Sequence, residues 1–389
     1  MPKGEVHSLT EAVTSPMADP GAFLKQASEW VKKLVKPNER VGLAVSGGID
    51  SSVVARILME SVGENLFMIH IDHGFMRIIE GREESELVSK AFSIHPNFVY
   101  RKDARDRFYN AVQGIEDGDE KREAFRKVYK EILNEIMESH RCAWTSDGTI
   151  KPDIVETRGG IKLQHNVDLE FAQKKLEPLA ALSKQEVRIL AKHLGIPHLR
   201  QPFPGPGLLV RTVGIYSPEK LAVEKKANDI VEQEYRKHML SQYGREMIID
   251  GETGMQIPFQ TFAATFDLKG HSALAKVTGL VDDGKKYERI YKEPLIISDG
   301  SYLKHAEEAL EIAKKNNSHR ILCRLDGKDS GKFAVAIRAI DSIDVKTCVP
   351  NLSANVPEKA AGRILKELPE VSAVFFDITP KPPGTVEYE

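Results

Sequence analysis

Cysteine is scarce in this chain: Cys142, Cys323 and Cys348 stand far apart, with no CxxC pair. Their number and spacing give no disulfide framework, and a reducing, cytoplasmic compartment is expected. Long apolar runs are missing as well, since no stretch of the sequence approaches the ~18–20 consecutive apolar residues that a membrane span needs. Behind Met1-Pro2-Lys3-Gly4-Glu5 there is no apolar core of a secretory signal. Excess charge is absent too: 55 basic residues against 57 acidic ones leave a net charge of −2, which speaks against a broad nucleic-acid surface. Neither the Gly-Lys-Ser/Thr ending of a Walker-type phosphate loop nor the three-glycine dinucleotide pattern occurs.

What is present is a soluble composition, 41% hydrophobic and 29% charged, over 389 residues. Single cores stop growing near about 250–300 residues, so two domains are expected. Residues 1–20 are polar, carry Pro16 and Pro20, and read as a flexible arm. Phe23, Leu24, Ala27, Trp30, Val31 and Leu34 then recur at helical spacing. The apolar run Val41–Val45 has buried-strand character, the helix Val53–Leu58 follows a glycine turn, and Leu66–Ile71 reads as a second strand. Strand, turn, helix and strand in about thirty residues form a βαβ unit of a parallel sheet.

Charged helices are expected over 80–92 and 119–139, a short strand at 142–144, and a helix over 184–194. Gln201–Gly207 holds three prolines and two glycines, through which no regular element can run, so the domain boundary is placed there. The domains expected are therefore 21–204 and 205–389. Beyond the boundary, helices over 218–238, 303–315 and 357–368 and strands over 320–325, 333–340 and 373–378 suggest a smaller α+β domain.

The chemistry concentrates in Ser46-Gly47-Gly48-Ile49-Asp50-Ser51-Ser52, between the first buried strand and its helix. Two glycines let the backbone turn tightly and present N–H groups to an anion. The helix that follows adds its N-terminal partial charge, and the hydroxyls of Ser46, Ser51 and Ser52 can donate further hydrogen bonds. Asp50 is a poor neighbour for phosphate unless Mg²⁺ bridges the two. As a bare serine-glycine turn the segment would merely cap a helix; the full hexapeptide between strand and helix favours a pyrophosphate cradle.

This hexapeptide resembles the SGGxDS signature of the PP-loop ATP pyrophosphatases, which adenylate a carbonyl or carboxyl oxygen and let a nitrogen or sulfur nucleophile displace AMP. Further segments, in order, resemble the ATP-pyrophosphatase and dimerisation portion of the GMP synthetase family. Gly114–Arg122 is similar to its GxxDPExKR segment, Gly148–Glu156 to GTxYPDVIE, and Ile161–Val167 to the IKSHHNV lid. Pro202–Leu208 matches PFPGPGL, and Asp377–Glu389 is close to DITSKPPGTIEWE.

The resemblance implies a parallel-sheet α/β domain followed by an α+β domain, and ATP-dependent amination of XMP to GMP. It implies that Ser46, Gly47, Gly48, Asp50, Ser51 and Ser52 hold the ATP phosphates, with Asp50 reaching Mg²⁺. Lys162 and His165 on the lid, and Lys184 of a KDEVR-like segment, become catalytic candidates. Arg122, Gln260, Arg363 and Lys381 would bind the nucleotide substrate, with Val386 and Glu387 at its base. A homodimer, and ammonia from a separate glutamine amidotransferase subunit or from free ammonium, complete the implied picture, because no amidotransferase segment is recognisable in the chain.

Departures from the family pattern accompany these matches. Gln164 replaces a lid histidine, Gln201 a histidine before PFPGPGL, Gln185 the KDEVR aspartate and Asp147 the QGT glutamine, while Asp168-Leu169-Glu170 replaces the lid's GGLP. Two alternatives therefore stay open at this point: a relative that adenylates another substrate for sulfur or nitrogen insertion, and a non-catalytic nucleotide-binding homologue.

Overall fold

The computed structural model describes residues 5–10, 13–92, 99–151, 173–197, 201–244, 248–249, 256–257, 259–269, 273–274, 276–282, 287–298, 302–343, 346–348 and 355–389. Two compact units emerge, one of residues 1–74, 84–111 and 125–200, the other of residues 75–83, 112–124 and 201–389. The second is the larger of the two.

The first unit is built on six parallel strands: β1 (Val6–Ser8), β2 (Arg40–Ala44), β3 (Leu66–Asp72), β4 (Val99–Asp103), β5 (Cys142–Ser146) and β6 (Lys174–Glu177). Their spatial order is β1-β6-β5-β2-β3-β4, every neighbouring pair being parallel. β2 and β3 are buried almost throughout, as strands covered on both faces must be. Helix α1 (Pro20–Leu34) starts on the Asp19 side chain, which accepts from the Ala22 N–H, and buries Phe23, Leu24, Ala27 and Val31. Helix α2 (Ile49–Val62) buries Val53, Val54, Ile57 and Leu58.

Residues 1–20 are not wholly a loose arm. Val6–Ser8 pairs in parallel with Lys175–Glu177, and the Ser8 hydroxyl donates to Glu177 at 2.8 Å, which supplies the order that the polar composition conceals. Helix α3 (Glu84–Phe92) also begins later than expected. Ile78–Ile79 and Arg82–Glu83 pair instead as a two-stranded ribbon, because Glu80 and Gly81 adopt positive φ between them. Helix α4 (Arg105–Val112), α5 (Gly118–Ser139) and α6 (Lys184–His193) complete the helices named here in the first half.

In the second unit, α7 (Pro218–Tyr243), β7 (Phe259–Lys269), β8 (Leu295–Ile297), β9 (Ile321–Gly327), β10 (Phe333–Ile343), α8 (Val356–Glu367) and β11 (Val371–Asp377) form a mixed sheet with two long helices. The strand order is β7-β10-β11-β9-β8, extended by Ala273–Leu274 beside β7 and Lys346–Cys348 beside β10. Alternation along the strands sorts two cores. Ala263, Val335, Ile337, Val374 and Phe376 meet α7 and α8 through Val231, Tyr235, Ala360 and Ile364. Phe262, Phe266, Ala334, Ala336 and Phe375 face the other way and meet Val213, Val277 and Tyr388.

Two short segments of the first half join this unit through paired groups. The Leu208 N–H donates to the Phe75 carbonyl at 2.7 Å, Arg77 pairs with Glu232 at 2.9 Å, and Lys121 pairs with Glu389 at 2.6 Å. The expected single helix over 303–315 is interrupted at Glu308, leaving Tyr302–Glu307 and Ala309–Lys315.

Candidate active site

β2 is the branch point of the first sheet: β3 and β4 follow on one side of it, β5 and β6 on the other. In open parallel sheets, ligands bind outside the strand carboxyl ends at such a point. The carboxyl end of β2 runs into Ser46–Ser52, and that of β5 into Asp147–Gly148.

The turn is shaped by two glycines. Gly47 has φ +77°, and a Cβ there would stand 2.4 Å from Val88 Cγ2 on α3. Gly48 caps α2 without a side chain, leaving the helix's first N–H groups for another acceptor. Its N–H donates to Ser46 Oγ at 3.3 Å, and its carbonyl accepts from Ser51 Oγ at 3.2 Å and Ser52 Oγ at 2.8 Å. Ser46 is exposed, Ser51 is buried, and their hydroxyls lie 3.4 Å apart.

Asp50 in the first turn of α2 is held by Lys184, whose Nζ donates to its two oxygens at 2.8 and 2.7 Å. A capping box starts α6: Ser183 accepts from the Glu186 N–H while Glu186 accepts from the Ser183 N–H. This puts Lys184 in the first turn, where the helix dipole disfavours a cation. The dipole does not favour a lysine at that end of the helix; its partner is the Asp50 carboxylate, which is 24% exposed. Arg188, one turn on, is pushed below the usual arginine range by burial, which Asp50 partly offsets.

Beside the turn, His70 bridges the Val45 carbonyl and the Ser85 hydroxyl, each at 2.9 Å, and burial pushes it below the usual histidine range. At the end of β3, burial works to raise the Asp72 carboxyl, but the Arg101 guanidinium at 2.6 Å and the Gly74 N–H bring it below the usual carboxylate range. Neither residue is marked by the motif. The pairing of β3 with β2 brings His70 to the Val45 carbonyl at the start of the turn.

The expected substrate residues that are described all lie in the second unit. Arg122 donates to the Glu389 carbonyl, and Glu387 receives Arg211 at 2.9 and 3.0 Å. Val386 packs partly buried against the second core, and Gln260 is buried on β7. Arg363 on α8 is engaged by Glu234 at 2.7 Å and Glu367 at 3.1 Å. Lys381 lies half-buried in the tail after β11, whereas Lys162 and His165 lie outside the described residues.

A buried ionic cluster that the sequence reading missed anchors this tail. Asp377 receives Arg320 at 2.9 Å and Arg338 at 2.8 Å, all three side chains being fully buried. Tyr388 donates to the same carboxylate at 2.7 Å, and Arg320 also donates to the Glu387 carbonyl at 2.6 Å. In the sequence these arginines read as isolated charges within apolar strands, a pattern that predicts burial with a partner but does not name the partner.

Among the described residues no cluster of three or more His, Cys, Asp or Glu side chains forms a metal site. One carboxylate beside hydroxyls and a helix N-terminus fits Mg²⁺, which keeps much of its coordination shell from water and substrate phosphates. No described helix is long and apolar enough to cross a membrane.

Comparison with known proteins finds relatives that cover 96% of the chain. Residues 325–388 match the family model described as GMP synthase C terminal domain. A subunit of the glutamine-hydrolyzing GMP synthase of Saccharolobus solfataricus is 34% identical over 388 residues, covering 96% of this chain and 100% of that one. Its counterpart in Methanocaldococcus jannaschii is 34% identical over 381 residues, again covering 96% and 100%. A solved NH3-dependent NAD synthetase from Campylobacter jejuni overlaps 46% of this chain and 75% of its own at 19% identity and TM-score 0.38, too remote to argue from.

Proposed function

The chain belongs to the family of these GMP synthase subunits, and on that premise we propose that its Ser46–Ser52 turn is the ATP site at which XMP is activated for amination to GMP. It is an ATP-dependent carbon–nitrogen ligase. The C2 oxygen of XMP attacks the α-phosphorus of ATP and pyrophosphate leaves. Ammonia then adds at C2, and AMP departs with the oxygen. ATP, XMP and ammonia thus become AMP, pyrophosphate and GMP. Full-length membership sets aside the sulfur-inserting and non-catalytic alternatives.

The observation that carries the ATP assignment is the Asp50–Lys184 pair at the mouth of a side-chain-free helix N-terminus. The amides of Gly47 and Gly48 and the hydroxyls of Ser46, Ser51 and Ser52 take the pyrophosphate portion. Mg²⁺, held by Asp50, would neutralise charge on the phosphates. Lys184, released from Asp50, turns to a phosphate oxygen, and Lys162 and His165 close over the triphosphate. Positioning and electrostatics do most of the work, because phosphoryl-type transfer leaves little covalent chemistry for the protein.

XMP is assigned to Arg122, Gln260, Arg363 and Lys381, with Val386 and Glu387 at the purine. Arg122 and Arg363 suit a phosphate, since guanidinium geometry favours two-pronged contacts. A separate glutaminase subunit supplies ammonia, and the chain forms a homodimer, as the family resemblance implies. The deciding experiment supplies Mg-ATP, XMP and ammonium and follows AMP, pyrophosphate and GMP. Equal yields of the three are expected; pyrophosphate release that ignores XMP would sink the reading.

A further inference from the structure

Behind the ATP turn lies a row of buried charges that neither the motif nor the reaction explains. Lys175 on β6 places its Nζ 3.0 Å from Asp147 and 2.8 Å from Glu177. The side chains of Lys175, Asp147 and Glu177 are only 6%, 13% and 10% exposed. Burial works to lower the lysine, but the two carboxylates hold it above the usual lysine range. Glu177 in turn accepts the Ser8 hydroxyl at 2.8 Å from β1.

At the other end of the row, Asp147 Oδ1 accepts from the Thr149 N–H at 3.0 Å and the Thr149 hydroxyl at 2.6 Å. That pins the turn containing Gly148. A Cβ on Gly148 would stand 2.8 Å from the Asp50 Cβ and 2.9 Å from the Ser51 nitrogen. Gly148 is therefore the floor on which the first turn of α2 rests. Any tilt of the 147–149 turn moves against Asp50, assigned to the metal, and against the backbone of Ser51, whose hydroxyl is assigned to the pyrophosphate.

We infer that Ser8, Glu177, Lys175 and Asp147 form a positioning relay that fixes the floor of the ATP turn, so that nucleotide affinity depends on a strand at the far edge of the sheet. The inference rests on the ATP assignment above. It gives residues 6–8 a task, and it gives a reason for an aspartate at position 147: a salt bridge to Lys175 restrains the turn more firmly than a neutral amide does. Lysine, rather than a residue of either carboxylate's sign, must stand between Asp147 and Glu177, because two buried carboxylates without a cation repel and lose their hydration together.

The test compares steady-state constants for ATP and for XMP in wild type, Lys175→Met, Asp147→Asn and the double variant. Wild-type GMP formation checks the underlying reading separately; its failure removes that reading and not the relay alone. For Lys175→Met, kcat/KM for ATP should fall by about tenfold or more, as expected for loss of a hydrogen bond to a buried charge, while KM for XMP stays. The double variant should recover part of the loss, since one of the two uncompensated carboxylates is gone. Should Lys175→Met fail to fold, the isosteric Asp147→Asn is read on the same two constants. A uniform fall in both substrates' constants, or an unchanged ATP constant in a folded variant, would overturn the relay.

Discussion

The Lys184 ammonium lies within 2.8 Å of each Asp50 oxygen, so the cation proposed for a phosphate oxygen and the carboxylate proposed for the metal neutralise each other in this structure. On the proposed function, Mg-ATP would bring a cation for Asp50 and an anion for Lys184, and an exchange of partners would keep both charges paired. Asp50→Asn should therefore cut pyrophosphate release on the order of 10²-fold or more, the scale for losing a focused electrostatic contact. Both side chains are partly exposed, so unfolding free energy should change by no more than about 1 kcal/mol. Unchanged turnover would remove the metal-bridging role of Asp50.

Gly47 is the position where the turn is least replaceable. Gly47→Ala places a methyl group against Val88 and asks an L-residue to hold φ +77°. Left-handed backbone costs about 1–2 kcal/mol, which should appear as a lower thermal midpoint together with ATP binding weakened by about tenfold or more. Calorimetric titration with an unhydrolysable ATP analogue measures the second effect. Wild-type affinity in the variant would mean that the turn does not grip nucleotide.

Asp377 compensates two buried arginines at once, and burial of the carboxylate is outweighed by Arg338 and Arg320, which hold it below the usual range. Asp377→Ala leaves both guanidiniums without it. A loss of about 3–5 kcal/mol is expected on guanidinium unfolding, the range for breaking a buried pair from one side. Because the same arginines hold the Thr385 and Glu387 carbonyls, milder Asp377→Asn should raise KM for XMP more than KM for ATP.

Glu224 on α7 is fully buried, and desolvation raises its carboxyl well above the ordinary value, against the Thr265 hydroxyl and Arg211. A raised carboxyl contributes its full stability below the unfolded value of 4.5 and loses it as pH climbs toward the folded one. Glu224→Gln should accordingly raise the thermal midpoint at neutral pH, with the gap to wild type closing as pH drops below 4.5. A gap that widens on acidification would contradict this sign.

Much of the first unit was legible because its signals are local. The apolar run Val41–Val45, the serine-glycine hexapeptide and the helical spacing of Phe23 to Leu34 each report on neighbours a few residues away. The capping box of Ser183 and Glu186, which fixes where Lys184 stands, is equally local but went unread in the sequence. Strand Val6–Ser8 escaped notice since its order comes from Lys175–Glu177, which lies far along the chain. The ribbon at 78–83 was hidden by its charged composition, which reads as helix when the positive φ of Glu80 and Gly81 is unseen.

By itself the sequence determined the parallel α/β plan, the serine-glycine turn between strand and helix, and the family, because each rests on backbone freedom, periodicity or an uncommon string of residues. Tertiary structure alone decided which charges meet. Lys184 finds Asp50 across 134 positions, and Lys121 finds Glu389 across 268. Burial of an ion demands a partner but does not specify one; only the packed strands and helices bring a particular oppositely charged group within reach.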